Sequence, residues 1–175
     1  LGDTLEDIAM QKAGIIKESG LVFTGEKRPE LISLFEHKAQ RRVYRPQMVE
    51  EVKIEPLGLS YRYRNQKIQL STLAQYQVNN SSLAFEVAYQ LSKHNDISVS
   101  DEVILLGLQD TFWLGRFEKM SDDPLIYIDG AHNIMGIDEL VKTIKQFKTK
   151  CTVVFSAVKD KKYSLMIDRL EEISD

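Results

Sequence analysis

The stretch Leu125-Ile126-Tyr127-Ile128-Asp129-Gly130-Ala131-His132-Asn133 indicates the fold class of this 175-residue chain. Its first four residues are apolar and mostly of types that favour strands, so they predict a buried β-strand. Asp129-Gly130 ends the strand, and the residues after Ile134 are apolar at helical spacing. Ligands of open α/β sheets collect where strands end and helices begin. Asp129 and His132 could therefore face one crevice; alternatively, Asp129 only caps the helix and His132 lies on the surface.

The segments after this turn alternate between helix and strand. An amphipathic helix is predicted to about Phe147, an apolar strand follows at Cys151, and a last helix begins near Tyr163. This β-α-β-α order predicts a parallel sheet with right-handed crossovers. Cys151 is the only cysteine. A disulfide framework is therefore excluded, and a reducing compartment is expected.

The chain before Leu125 is predicted to be richer in helices. Two tyrosines alternate with two arginines over 61–64, so one face of a hairpin should be wet; such an alternation can also bind single-stranded RNA. The predicted elements are a helix that starts at Asp3-Thr4, a strand over 21–25, a helix over 29–39, hairpin strands over 59–64 and 67–72 with a turn at Asn65-Gln66, helices over 79–93 and 101–108, and a strand over 117–120.

The composition is that of a globular protein. The chain is 43% hydrophobic and 28% charged, with a formal net charge of −3. The negative charge argues against a nucleic-acid partner. No apolar run reaches transmembrane length and no signal peptide is visible, so we expect a cytoplasmic protein without a membrane partner. Because the sequence starts at Leu1 and stops at Asp175 after a helix, we expect it to be part of a longer protein.

Lys12 shares the apolar face of the first predicted helix with Leu5, Ile8 and Ala9. In one interpretation it is an ordinary lysine whose amine reaches water along its aliphatic stem. In the other, partial desolvation lowers the pKa of the amine. Such an amine can react with carbon dioxide to give a carbamate, whose anionic oxygen suits Mg²⁺.

Five segments, in order along the chain, carry motifs of one family. They are Leu1–Lys17 (family pattern LGxTxxxIAxxKAGIIK), Tyr76–Asn80 (HQxxNA), Phe112–Glu118 (WPGRxE), Asp129–Asn133 (DGAHNP) and Ser156–Lys161 (a loop containing DK). Together they resemble the folylpolyglutamate synthase and dihydrofolate synthase family of the Mur ligase superfamily. Leu114 and Ile134 stand where that family usually has proline, Ser81 where it has alanine, and Lys162 where an acid is common.

The resemblance implies two α/β domains. Residues 1–111 would be the back part of a P-loop-type ATPase domain, and residues 112–175 an incomplete Rossmann-like ligase domain with a mostly parallel sheet. The two lobes would meet near residues 109–115. In the family, the phosphate-binding loop and a metal-ligating histidine precede this region, and no G-x-x-x-x-G-K-[ST] pattern occurs here. The chain alone is therefore expected to be inactive.

The implied activity is that of an ATP-dependent amide ligase that adds L-glutamate to folate, or to dihydropteroate. ATP would phosphorylate the acceptor carboxylate, and the amine of glutamate would then displace phosphate from the acyl phosphate. The implied cofactors are ATP and Mg²⁺, with a monovalent cation as a further candidate, and the implied state is a monomer. Two alternatives stay open: a Mur-type amide ligase of cell-wall synthesis and a non-catalytic α/β binding module.

The resemblance also implies roles for individual residues. Lys12, as a carbamate, would hold a Mg²⁺ ion and would be catalytic together with His132. Negative charge gathers on a transferring phosphoryl group, and metal ions and cationic side chains offset it. The implied ATP contacts are Gln77 and Asn80 to the adenine, Arg116 to the phosphates, Asp129 and His132 from the second domain, and Lys161 to a phosphate or the substrate.

Overall fold

The computed structural model describes residues 4–56, 58–94, 96–158 and 163–175. It confirms the predicted α/β class, and the strand β1 is an addition to the predicted elements. In chain order the elements are α1 (Leu5–Ala13), α2 (Pro29–Ala39), β1 (Glu50–Glu55), β2 (Gly58–Tyr63), β3 (Gln66–Leu70), α3 (Tyr76–Lys93), α4 (Asp101–Asp110), β4 (Glu118–Asp122), β5 (Leu125–Ile128), α5 (Ile134–Lys145) and α6 (Tyr163–Leu170).

The strand pairing differs from the predicted parallel sheet. Both sheets of the described residues are antiparallel, in the orders β1-β2-β3 and β4-β5. The reason at β5 is local: only Asp123-Pro124 separates it from β4, so β4 folds back on it as a hairpin. Among the residues that the structure describes, parallel pairing is limited to two isolated bridges, Phe23 with Tyr44 and Cys151 with Ser174. Each of these joins the two ends of a segment that contains a helix.

The predicted burial of β5 is wrong for this chain. Leu125 is 64% exposed and Ile128 is 49% exposed. A strand buried on both faces needs layers on both sides of its sheet. In the described residues, β5 has β4 as its only strand neighbour.

Helices α1 and α2 begin at the residues that the sequence predicted. Thr4 caps α1 with a capping box formed with Asp7, and Pro29 opens α2. The cap of α5 is Asn133, whose side chain accepts a hydrogen bond from the Gly136 amide. Asp129 therefore does not cap this helix, contrary to the simpler of the two sequence interpretations.

The β2–β3 hairpin turns one residue earlier than predicted. Arg64 and Asn65 have φ values of 48° and 62°, the left-handed pair of a tight hairpin turn, and Gln66 already belongs to β3. The prediction of one wet face is confirmed at Arg62, whose side chain is 52% exposed, whereas Tyr61 and Tyr63 on the other face are each 1% exposed under α3. Buried rings cannot stack on bases, so Tyr61 and Tyr63 do not offer the ring faces that this alternation could have provided.

The described residues of the later part of the chain form two hydrophobic clusters. The first is built on β2, β3, α3 and α4, and the second on α5 and α6. Between them, residues 111–117 form no helix or strand. The separation favours the predicted domains 1–111 and 112–175, which stay a prediction. The buried members are Leu59, Tyr61, Tyr63, Ile68, Leu70, Val78, Phe85 and Ile104 in the first cluster, and Ile137, Val141, Met166, Leu170 and Ile173 in the second.

Limited digestion with chymotrypsin should cleave first between residues 111 and 115. Phe112 and Trp113 are 66% and 67% exposed in a segment without regular structure, and such segments are preferred sites of nicking. Tyr127 is an internal control, since it is half-buried in β5. Mass spectrometry of the earliest fragments would identify the site, and early cleavage after Tyr127 would contradict the boundary.

In the described ranges, no helix is both long and apolar enough to cross a bilayer.

Candidate active site

A cleft of about 730 Å³ lies between the region of β3, α3 and α4 and the segment that runs from Thr111 into the β4–β5 hairpin. Three residues with implied ATP contacts, Gln77, Asn80 and Arg116, line this cleft. Gln77 and Asn80 come from the first turns of α3, and Arg116 comes from the segment before β4. We call this pocket the interlobe cleft.

The side-chain amides of Gln77 and Asn80 form a hydrogen-bonded pair in the interlobe cleft. The Asn80 Nδ2 group donates to Gln77 Oε1 over 2.8 Å. This bond leaves the Gln77 amide NH₂ as a donor and the Asn80 Oδ1 atom as an acceptor. Adenine presents an acceptor, N7, beside a donor, the N6 amino group, and side-chain amides pair with both.

Residues 111–117, which we call the Arg116 loop, are hydrogen-bonded to the turn that follows β5. The Gly130 amide donates to the Gly115 carbonyl at 2.7 Å, and the Phe117 amide donates to Asp129 Oδ2 at 2.8 Å. A Cβ atom at Gly130 would lie 3.3 Å from the Gly115 oxygen and 3.4 Å from Arg116 Nη1. Glycine at position 130 thus permits this close approach.

Asp129 is engaged by the protein itself. Besides the Phe117 amide, its carboxylate accepts the Ala131 amide at 2.8 Å and the Tyr76 hydroxyl at 3.0 Å. Burial, followed by the charge of Asp129, raises the pKa of Tyr76. The hydroxyl of Tyr76 is therefore a donor at neutral pH.

His132 is exposed and does not line the interlobe cleft. Its Nδ1 atom lies 2.9 Å from the Gly130 carbonyl oxygen. Because a carbonyl only accepts, Nδ1 carries the hydrogen of this bond, and Nε2 is left available to a ligand. The structure thus brings Asp129 and the Arg116 loop together, while His132 stands apart on the same turn.

A buried ionic network holds α3 against the hairpin. Glu86 of α3 is 2% exposed and accepts two hydrogen bonds from Arg64, each 2.9 Å long. Tyr63 and Gln90 donate to the same carboxylate at 2.7 and 2.8 Å. This network positions the helix whose first turns supply Gln77 and Asn80.

Lys12 differs from its predicted environment. It is exposed in the last turn of α1, and the buried side of that helix is formed by Ala9 and Ala13. Leu5, predicted to share its face, is 52% exposed. Desolvation of the Lys12 amine by the described residues is therefore not observed, and its role as a carbamate stays a prediction. Lys161 lies outside the described residues.

The described residues do not group into a metal centre of their own. In the described ranges, no three side chains of His, Cys, Asp or Glu are grouped so that they could hold an ion. A carbamate on Lys12 would add one anionic oxygen ligand. The remaining ligands of a Mg²⁺ ion would have to come from outside the described residues.

Sequence reasoning assigned no role to Tyr76, Phe112 or Trp113. Phe112 and Trp113 line the interlobe cleft, although both are largely exposed. Their signal in the sequence is an aromatic pair inside a linker, where no core requires it. Tyr76 shows no such signal, because its partner Asp129 is 53 residues away. Ser81, noted as a departure from the family pattern, places its hydroxyl 2.7 Å from that of buried Tyr61.

Comparisons with known proteins agree on one family. The chain is 36% identical to the dihydrofolate synthase/folylpolyglutamate synthase of Bacillus subtilis, over 99% of the chain and 44% of that protein. It is 35% identical to the folylpolyglutamate synthase of Lacticaseibacillus casei, over 97% of the chain and 42% of that protein. The chain thus spans a little under half the length of these relatives. No family model matches it.

Solved structures agree with these relatives. A structure described as an FPGS-AMPPCP-folate complex matches the whole chain with a TM-score of 0.89 and 31% identity, over 46% of its own length. The bifunctional folylpolyglutamate synthase/dihydrofolate synthase of Yersinia pestis, complexed with AMPPNP and a Mn ion, matches it with a TM-score of 0.75 and 25% identity, over 42% of its length. The chain that forms the interlobe cleft therefore belongs to the folylpolyglutamate synthase and dihydrofolate synthase family.

Proposed function

We propose that the complete protein containing this chain is an ATP-dependent amide ligase that adds L-glutamate to a folate. The observation that carries the proposal is the interlobe cleft, which brings Gln77 and Asn80 of α3 together with Arg116. A nucleotide placed there would meet a purine-reading amide pair and a guanidinium in one pocket. The similar proteins named above include complexes with the ATP analogues AMPPCP and AMPPNP, which supports this use of the cleft.

In this proposal the adenine lies against α3. The free donor of Gln77 and the free acceptor of Asn80 pair with one edge of the base. Phe112 and Trp113 offer ring faces on the same cleft, and stacking on aromatic side chains contributes about 1–3 kcal/mol per base. The base would thus be bound by its edge and by its face.

The phosphates would extend towards Arg116, whose planar guanidinium can bind two phosphate oxygens at once. The loop that carries Arg116 is fixed by its bonds to Asp129 and Gly130. In the reaction the acceptor carboxylate takes the γ-phosphoryl group of ATP and ADP leaves. The amine of glutamate then attacks the carbonyl carbon of the acyl phosphate, and phosphate and a proton leave as the amide forms.

A divalent metal would offset the negative charge of the transferring phosphoryl group when bound. Lys12, as a carbamate, is the ligand that we propose from this chain. The Mn ion of the Yersinia pestis complex supports a divalent metal. The monomeric state, the cytoplasmic location, the monovalent cation and the contacts of His132 and Lys161 stay predictions.

The function is tested by assaying the complete protein with ATP, Mg²⁺, a reduced folate and labelled L-glutamate. We expect label to enter the folate only when ATP is present. Dihydropteroate in place of folate tests the second activity of the family, and a muropeptide precursor tests the cell-wall alternative. Transfer to the muropeptide alone, or nucleotide binding without any transfer, would reject the proposal.

Arg116→Ala should raise the KM for ATP about 10- to 100-fold in the same assay, because hydrogen bonds to charged groups contribute about 1.5–3 kcal/mol. The KM of Arg116→Lys should lie between those of the wild type and Arg116→Ala, because lysine keeps the charge but cannot bind two phosphate oxygens with one planar group. Arg45→Ala is the matched control: Arg45 is exposed and lies outside the interlobe cleft. Equal KM values for Arg116→Ala and Arg45→Ala would contradict a role for Arg116 in binding ATP.

A further inference from the structure

The Asp129 carboxylate joins three segments that are far apart in sequence. Its Oδ2 atom accepts the Tyr76 hydroxyl at 3.0 Å and the Phe117 amide at 2.8 Å. Its Oδ1 atom accepts the Ala131 amide at 2.8 Å. One side chain therefore links the start of α3, the Arg116 loop and the turn after β5.

Tyr76 connects this carboxylate to the base-reading part of the cleft. It is half-buried and is the first residue of α3, directly before Gln77 and one helical turn before Asn80. A helix is rigid over one turn, so a bond made by Tyr76 also places the amides of Gln77 and Asn80 relative to Asp129. The hydroxyl can donate one hydrogen bond, and Asp129 receives it.

Phe117 connects the same carboxylate to the phosphate-binding part of the cleft. Its φ angle is 48°, a left-handed conformation that is rare for a bulky side chain. Such a conformation persists only where its surroundings impose it. Here the Phe117 amide donates to Asp129, and its ring, 5% exposed, stacks on Tyr127 with centroids 4.6 Å apart. The bond thus orients the neighbouring Arg116.

We propose that Tyr76 is a positioning residue for the nucleotide: through the Asp129 carboxylate, it holds the amide pair of Gln77 and Asn80 in register with the guanidinium of Arg116. The adenine and the phosphates of one nucleotide must meet their partners together. The hydrogen bond from Tyr76 to Asp129 therefore determines whether the adenine and the phosphates can be bound at the same time. The proposal rests on the proposed function, since it assumes that the interlobe cleft binds ATP. Asp129 acts in it by positioning other groups.

The test measures kcat and KM for ATP in the complete protein at 25 °C. Tyr76→Phe removes only the hydroxyl and should raise the KM about 10-fold, the scale of one hydrogen bond to a charged group. The value of kcat should stay within about twofold, because the lost interaction aids binding in the ground state and the transition state alike. Tyr89→Phe is the matched control. It lies on the same helix, and its hydroxyl makes no hydrogen bond in the described part of the chain.

A double-mutant cycle separates positioning from a general loss of stability. Asp129→Asn should raise the KM more than Tyr76→Phe, because it also weakens the bond to the Phe117 amide. Adding Tyr76→Phe to Asp129→Asn should change the KM by less than about twofold, since the hydroxyl has already lost its charged acceptor. If the two substitutions raise the KM independently, so that their fold-changes multiply in the double variant, the proposal is overturned. So would a Tyr76→Phe variant that has a lower Tm and an unchanged KM.

A fluorescence measurement keeps this test separate from that of the reaction. Trp113 lines the interlobe cleft, so binding of a non-hydrolysable ATP analogue should change the tryptophan emission of the complete protein. If the wild-type protein transfers no glutamate but binds the analogue, the proposed reaction fails and the cycle can still be run on Kd. Equal Kd values for the wild type, Tyr76→Phe and Tyr89→Phe would overturn the positioning role.

Discussion

Replacing Lys12 by alanine in the complete protein should lower kcat by about 10²- to 10³-fold, the scale for losing one group that stabilises charge in a transition state. A carbamate on Lys12 would supply an anionic oxygen ligand of the kind that Mg²⁺ takes. Lys12 is exposed on α1, so the desolvation that favours the neutral, carbon-dioxide-reactive amine would have to come from groups outside the described residues. A short carboxylic acid added to the variant should restore part of the rate, because its oxygens can replace those of the carbamate.

Lys38→Ala is the matched control for this effect. Lys38 is exposed in the last turn of α2, as Lys12 is in the last turn of α1. Both substitutions should change the free energy of unfolding by less than about 0.5 kcal/mol, because exposed positions tolerate alanine in a helix. Near-normal turnover of Lys12→Ala at saturating ATP and Mg²⁺ would show that Lys12 is an ordinary surface lysine.

Glu86→Ala should lower the free energy of unfolding of the chain by about 3 kcal/mol, near the lower end for breaking a buried ion pair. Glu86 is almost fully buried, whereas 23% of the Arg64 side chain is exposed, so the abandoned guanidinium can still reach some water. The substitution also leaves Tyr63 and Gln90 without their acceptor. For a chain of this length we expect Tm to fall by about 6–12 °C.

The comparison with Glu102→Ala isolates the effect of burial. Glu102 is exposed in the first turn of α4, and its removal should change the free energy of unfolding by less than about 1 kcal/mol. Thermal or urea unfolding followed by circular dichroism would measure both variants. Equal losses for Glu86→Ala and Glu102→Ala would contradict a structural role for the buried network.

The same network predicts a dependence on pH. Burial by itself raises the pKa of Glu86, but the hydrogen bonds from Arg64, Gln90 and Tyr63 outweigh it and hold the pKa below the ordinary value of 4.5. A carboxyl group whose pKa is lowered by folding stabilises the native state above its unfolded pKa. This contribution is lost as the pH falls below 4.5 and through the folded pKa. The stability difference between the wild type and Glu86→Gln should therefore be full at pH 7 and shrink below about pH 4.5.

Local features of the sequence determined where most elements begin and end. Thr4 and Asp7 form a capping box, Pro29 opens α2 and the alternation over 61–64 gives a hairpin with one buried face. These predictions succeed because caps, proline and the period of a strand act over a few residues. The family resemblance likewise needed only short segments, and relatives that are 36% and 35% identical confirm it.

The tertiary structure decided what the local patterns left open. The run 125–128 is as apolar as a central strand, yet it lies exposed in a two-stranded hairpin, because the number of neighbouring strands is not encoded in the strand itself. Lys12 was placed on an apolar face by helical spacing, but burial depends on what packs against that face, and here it remains exposed.

The candidate site shows the same difference between what the sequence determines and what the tertiary structure determines. The sequence by itself named Gln77, Asn80, Arg116 and Asp129 through their resemblance to family segments. Only the folded chain shows that the first three share one cleft and that Asp129 is occupied by Tyr76 and by the Phe117 and Ala131 amides. The physical reason is the separation along the chain: a hydrogen bond between residues 76 and 129 depends on how the whole intervening segment packs, and no local pattern records that.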